Sequence, residues 1–171
     1  LKLSKKNKIV IEENRYYLYE LYHAEKYIAN RLYNLNKLEK RKLPKLESKI
    51  NQIELLNGIT YDESQRKAII QSLNNNLTII TGGPGTGKTT IVKCIVRLLI
   101  DLIKVSPEKI ALLAPTGRAA RKLMENTEIP AYTIHKYLKW DKDNNQFEVN
   151  EYSPNKEQYI IVDESSMIDT I

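Results

Sequence analysis

Between Leu77 and Leu102 the chain passes from a short apolar run, LTIIT, through a turn-forming stretch, GGPGTG, into a segment in which Ile91, Ile95, Leu98 and Leu102 recur every three or four positions. The first pattern predicts a buried strand and the last one face of a helix. Upstream, Lys8 to Glu13 and Arg15 to Tyr19 are β-type runs on either side of Glu13-Asn14, which predicts a hairpin. The period then changes. Leu21, Ala24, Ile28, Leu32 and Leu35 place one apolar face on a helix from Glu20 to about Lys42. Pro44 interrupts it, and Leu46, Ile50 and Ile53 mark a second, shorter helix that Asn57-Gly58 should end. Thr60-Tyr61-Asp62-Glu63 has the form of a capping box in which Thr60 and Glu63 each satisfy an amide, opening a helix through Gln65, Ile69, Ile70 and Leu73. The turn-prone run Ser72 to Asn76 leads from it into LTIIT.

Downstream the strand, loop and helix order repeats. Lys109 to Ala114 reads as a second buried strand, followed by Pro115-Thr116-Gly117-Arg118 and a helix from Ala119 to Glu125. Thr133 to Leu138 reads as a short helix with Thr133 as its N-cap, and Trp140 to Tyr152 as a small exposed hairpin around Asp143-Asn144-Asn145. Tyr159 to Val162 is the third apolar strand, delivering Asp163-Glu164 at its C-terminal end. This rhythm is that of an α/β protein with a parallel sheet and crossover helices. It is preceded by a small segment of hairpin plus helices. The expected division is therefore residues 1–58 as the leading region and 59–171 as the α/β part, whose three strands should leave an exposed sheet edge.

Composition narrows the class. With 42% hydrophobic and 28% charged residues the chain is ordinary for a water-soluble domain, and no apolar run approaches the length a membrane helix needs. The start, LKLSKKNKIVIEEN, carries charges where a signal peptide needs an apolar core. The one cysteine, Cys94, falls on the helix after the glycine-rich turn, where it serves as a small apolar filler, and a cytoplasmic location follows. The net charge of +6 resides entirely in residues 1–58, with 13 Lys+Arg against 7 Asp+Glu, whereas residues 59–171 carry 14 of each. That excess fits either nucleic-acid affinity or a solvated helix surface.

The chemistry begins at Gly82-x-x-x-x-Gly87-Lys88-Thr89. In Gly82, Gly83, Pro84, Gly85, Thr86 and Gly87 the glycines let successive amides turn inward toward one anion. Lys88 adds a full positive charge for β and γ phosphates. Thr89, followed by Thr90, offers a hydroxyl to Mg²⁺ where a helix begins and its unpaired amides favour negative charge. ATP with Mg²⁺ is the expected ligand. Asp163 suits the second Mg²⁺ contact, since that ion prefers oxygen ligands and keeps several waters. Glu164 beside it can polarise the attacking water, which makes Lys88 and Glu164 the catalytic candidates.

Taken together, TYDESQRKAI, TGGPGTGKTT, LLAPTGRAARKL, AYTIHKYL and YIIVDESSMID resemble the ordered motifs of the RecD-like (RecD/TraA) helicases of superfamily 1. The resemblance is strong over residues 60–171 and weaker upstream, where the hairpin and LYELYHAEKYIANRL look like the junction between an accessory N-terminal region and the motor. It implies a RecA-like P-loop fold, incomplete here, and a DNA helicase that moves 5′ to 3′ on single-stranded DNA. It also implies that Gln65 contacts adenine, an amide matching the N6/N7 edge, and that Thr116, Gly117, Arg118, Thr133, His135 and Lys136 lie on single-stranded DNA. Ser165 stands where the group usually has alanine. The later helicase motifs, with the second-lobe arginines that reach the γ phosphate, are missing from these residues. The resemblance therefore implies a longer parent chain and poor hydrolysis by this piece alone. Two other readings remain open: a different P-loop ATPase, such as a non-helicase switch, and a nucleic-acid binding module whose nucleotide site is structural.

Overall fold

The computed structural model describes residues 8–169. The basic positions Lys2, Lys5 and Lys6, which bear on the signal-peptide and charge readings, lie outside them. The chain divides into two compact units, residues 8–40 with 75–77 and 169 in the smaller, and 41–74 with 78–168 in the larger.

In the smaller unit β1 (Ile9–Glu12) and β2 (Arg15–Leu18) pair antiparallel, with Glu12 opposite Arg15. Glu13 and Asn14 have φ of 46° and 62°, the two left-handed residues that let a two-residue turn follow the strand twist. α1 (Tyr19–Lys37) follows and stops short of the expected Lys42. The Asn76 side-chain amide donates to the carbonyls of Leu38 (3.2 Å) and Glu39 (3.0 Å), which serves as an alternative to another helical turn. Its expected apolar face is present in register but not buried: Leu21 and Ala24 are half-covered and Ile28, Leu32 and Leu35 are exposed. Cations lie over tyrosine rings one turn away, Lys26 over Tyr22 at 4.7 Å and Lys37 over Tyr33 at 4.2 Å. These tyrosines pack along their own helix.

The larger unit opens with an extended strap. Arg41 N–H donates to the Asn74 carbonyl at 2.8 Å, and the Arg41 guanidinium donates to the Tyr159 hydroxyl at 2.6 Å. α2 (Leu46–Asn57) then buries Leu46, Ile50 and Ile53, the positions its periodicity predicts, and ends at Gly58 with φ +60°. α3 (Glu63–Asn74) buries Ile69 and Leu73. Its cap differs from expectation by two residues. Asp62 Oδ1 accepts from Gln65 N–H at 2.9 Å while Gln65 Oε1 accepts from Asp62 N–H at 3.1 Å. The reciprocal box is thus Asp62 with Gln65, not Thr60 with Glu63. The carboxylate wins over the hydroxyl because a charged acceptor makes the stronger bond to an orphan amide.

Glu54 joins α2 to α3, accepting from Tyr61 N–H at 2.8 Å and from the Arg66 guanidinium at 2.7 Å. These two donors hold its carboxyl below the usual range. A depressed carboxyl adds stability above the unfolded-state value, about pH 4, and loses it as pH falls through the folded one. Glu54→Gln should therefore lower the melting temperature at neutral pH, with the gap to wild type closing below about pH 4; thermal melts from pH 7 to 3 check this.

α4 (Lys88–Asp101) is the central helix and buries seven residues, from Ile91 to Leu99. β3 (Ile110–Ala114) is buried at every position. After it come α5 (Gly117–Thr127), β4 (Ala131–Thr133), α6 (Ile134–Tyr137), the hairpin of β5 (Trp140–Asp141) and β6 (Gln146–Phe147), and β7 (Tyr159–Val162). The sheet is parallel, with order β4-β3-β7. It has the expected number of strands but not the expected set. LTIIT forms no ladder among the described residues, and Ile79 is 74% exposed. Its place in the count is taken by Ala131–Thr133, a strand that the sequence pattern does not predict. β4 and β7 are the two edge strands of this sheet, and on β7 one face, with Ile160 and Val162, is exposed. No helix among the described residues is long and apolar enough to cross a membrane.

Candidate functional site

The glycine-rich loop owes its shape to two close approaches. Gly87 caps α4 at φ +79°, and a Cβ there would meet Gln65 Nε2 at 2.5 Å. A Cβ on Gly82 would meet Thr86 Oγ1 at 2.6 Å. A side chain at either position would have to displace the one it meets, Gln65 or Thr86. Thr86 Oγ1 donates to the Gly83 carbonyl at 2.9 Å, closing the turn over Pro84 and Gly85. Lys88 leads α4 and folds its ammonium back onto the loop, donating to the carbonyls of Gly82 and Gly83 at 2.7 Å each. The loop thus holds a cation against its own carbonyls, beside the first-turn amides that have no partner within the helix. A triphosphate fits this cradle: anionic oxygens can take over from the carbonyls as acceptors for Lys88.

Gln65 reaches the same loop. Its Nε2 donates to the Thr86 carbonyl at 3.1 Å while its Oε1 stays in the cap of α3. Both ends of the amide are therefore engaged with protein, and Gln65 ties the start of α3 to the loop. Ser64 O–H and Gln65 N–H hold the Asp62 carboxyl below its usual range, which strengthens that anchor. Thr89 is half-buried in the first turn of α4. Thr90 lines a cavity of about 650 Å³ between α2, α4 and the turn after α5, together with Tyr61, Cys94 and Ile129, and none of residues 82–89 borders it. Burial pushes the Cys94 thiol up, away from reactive character.

Register assembles the other candidates at the C-terminal end of the sheet. Ala114 is the partner of Thr133 across β3 and β4, and Asp163 N–H donates to the Leu113 carbonyl at 2.9 Å. The Thr116 loop after β3 therefore has Thr133 on one side and Asp163 on the other. Asp163 is half-buried and its Oδ1 accepts from Glu164 N–H at 2.9 Å. Glu164 is exposed, in left-handed backbone at φ +51°. Among the described residues no hydrogen bond or ion pair joins this carboxylate pair to the loop of residues 82–89. The Thr89 hydroxyl and the Asp163 carboxylate are oxygen donors of the kind Mg²⁺ takes.

Both threonines in the nucleic-acid set serve as helix caps. Thr116 Oγ1 accepts from Ala119 N–H and Thr133 Oγ1 from Lys136 N–H, each at 3.2 Å. Gly117 has open space around it and Arg118 is exposed at the start of α5. Lys136 lies over the Tyr132 ring at 5.3 Å. His135 is exposed and packs edge-on to Trp140, with ring centroids 6.2 Å apart, and against Phe147 at 5.9 Å. No local pattern marks Trp140 and Phe147 as packing partners of that histidine, although they flank the Asp143 to Asn145 turn at the spacing of cross-strand partners.

A glycine-rich loop opening a helix, in a chain whose parallel sheet presents carboxylates at its C-terminal end, defines a nucleotide-binding protein of the P-loop class. The family model described as AAA domain matches residues 65–171. The chain belongs to that family, and the curated proteins it resembles include RecD subunits and a RecD2 helicase. It is 34% identical, over 95% of its length, to the RecBCD enzyme subunit RecD of Buchnera aphidicola subsp. Schizaphis graminum. It is 38% identical over 62% of its length to the ATP-dependent RecD2 DNA helicase of Deinococcus radiodurans, and 36% identical over 62% to the RecBCD enzyme subunit RecD of Mycolicibacterium smegmatis. The chain spans 29%, 14% and 23% of those relatives' own lengths.

Proposed function

We propose that these residues are part of the motor of an ATP-dependent DNA helicase, binding ATP-Mg²⁺ and single-stranded DNA and moving 5′ to 3′. The observation that carries this reading is the loop of residues 82–88, a glycine cradle already holding the Lys88 ammonium at 2.7 Å from two carbonyls. Residues 59–171 form the N-terminal part of a motor lobe, and residues 1–58 the end of an accessory region whose α2 packs onto it. The loop amides and Lys88 bind the β and γ phosphates. Thr89 and Asp163 would hold Mg²⁺, which when bound neutralises charge on the phosphate oxygens. Glu164 takes a proton from the attacking water. Gln65 contacts adenine after giving up its bond to Thr86 or sharing it. Thr116, Gly117 and Arg118 grip DNA phosphates beside Thr133, His135 and Lys136. The parent works in the cytoplasm, as a subunit of a RecBCD-like assembly or by itself.

Hydrolysis by the full-length protein should rise on addition of single-stranded DNA, and a 5′-tailed duplex should be unwound in preference to a 3′-tailed one. Hydrolysis that ignores DNA would instead favour a nucleotide switch. Arg118→Ala should weaken single-strand binding evenly across sequences and reduce the slope of log affinity against log salt by about one, the mark of a lost phosphate contact. Filter binding from low to high salt measures both.

A further inference from the structure

α6 is a single turn, Ile134–Tyr137, too short to persist by its own hydrogen bonds. Thr133 caps its start, Asn155 Nδ2 donates to the Tyr137 carbonyl at 3.2 Å, and the hairpin that follows bonds to the two residues after it. Lys139, at φ +55°, reverses the chain, and the ladder continues into the turn through Glu148 N–H to the Lys139 carbonyl (3.2 Å) and Val149 N–H to the Leu138 carbonyl (3.1 Å). Trp140 and Phe147 are cross-strand partners with centroids 4.7 Å apart, and the His135 ring lies against both, at 82° to the indole. An edge-to-face contact of this kind restricts a ring that would otherwise sample its rotamers freely. Thr133, one residue before α6, is in register with Ala114 at the end of β3, so the orientation of this turn is passed to the sheet edge that also carries the Thr116 to Arg118 loop.

We propose that Trp140 and Phe147 are positioning residues for nucleic-acid binding: the β5–β6 hairpin sets the orientation of His135 and hence the Thr133 to Lys136 contact surface. This inference rests on the single-strand binding reading above. Neither ring is assigned to the ligand itself; their action runs through His135.

The experiment is a double-mutant cycle in the full-length protein, with affinity for a fluorescent single-stranded oligonucleotide and affinity for a nucleotide analogue both measured. Trp140→Ala should weaken oligonucleotide binding about three- to tenfold, the range expected for one lost ring contact, and leave nucleotide affinity unchanged. Trp140→Phe should restore most of the loss, because a ring remains. His135→Ala should cost a similar factor, and His135→Ala combined with Trp140→Ala no more than the larger single effect. Full additivity would overturn the inference, because Trp140 would then act independently of His135. So would a Trp140→Ala variant that binds as wild type, or a loss that Trp140→Phe does not relieve. Wild-type protein that fails to bind the oligonucleotide would sink the DNA reading itself, whereas wild-type binding weakened by Arg118→Ala but not by Trp140→Ala would sink this inference alone.

Discussion

Replacing Lys88 by alanine in the full-length protein should lower ATP turnover about 10²- to 10³-fold, the cost of removing one preorganised charge-bearing donor from a phosphate site. The ammonium sits at 2.7 Å from the carbonyls of Gly82 and Gly83, so it is already inside the loop and needs no long excursion to meet a phosphate. Alanine is a strong helix former and should leave α4 intact at its first position, where Gly87 supplies the cap and Ile91 N–H bonds to the Gly87 carbonyl at 3.0 Å. The loss should therefore fall on nucleotide affinity and turnover, with the thermal unfolding midpoint unchanged or slightly raised. Steady-state hydrolysis, nucleotide titration and a melt on the same preparation separate these effects. A variant that retains wild-type DNA unwinding would mean that the nucleotide site is structural.

Glu164→Gln should reduce hydrolysis about 10²- to 10⁴-fold while nucleotide affinity holds, since a positioned general base contributes that much and glutamine cannot accept the proton. The substitution suits the local geometry. Glu164 adopts φ +51° and its backbone N–H bonds to Asp163 Oδ1 at 2.9 Å; both features belong to the backbone and survive the change. Single-turnover hydrolysis isolates the chemical step from product release. If Lys88→Ala loses binding and turnover together while Glu164→Gln loses turnover alone, the phosphate-holding and water-activating roles fall on different residues. Equal losses of affinity in both variants would move Glu164 from catalysis to ligand binding.

Much of this arrangement is legible in the sequence. The α2 burial of Leu46, Ile50 and Ile53 and the stop at Gly58 follow from a helical period ended by a residue that tolerates positive φ. The Thr133 cap, the turn at Glu13-Asn14 and the strands Ile110–Ala114 and Tyr159–Val162 are equally local. Sequence and structure part where two local solutions compete or where partners are distant. Thr60-Glu63 and Asp62-Gln65 both satisfy a capping pattern, and the structure uses the one with a carboxylate acceptor. Ala131–Thr133 is three residues long and follows Pro130, leaving no alternation to detect, and it becomes a strand only because β3 offers it an edge. LTIIT shows the converse: strand-like composition without a partner yields no ladder.

By itself, the sequence determined the residues of the glycine-rich loop, the helix that the loop opens, and the carboxylate pair at the end of an apolar run. Each depends on properties confined to a few neighbouring positions: the freedom of glycine, the 3.6-residue period and the charge of a side chain. The tertiary structure alone decided which strands share the sheet, that Gln65 spans from its own helix cap to the Thr86 carbonyl, and that His135 rests on two rings of the following hairpin. Those outcomes depend on which groups compete successfully for one hydrogen-bonding edge or one apolar surface, and such competition is settled between segments far apart in the chain.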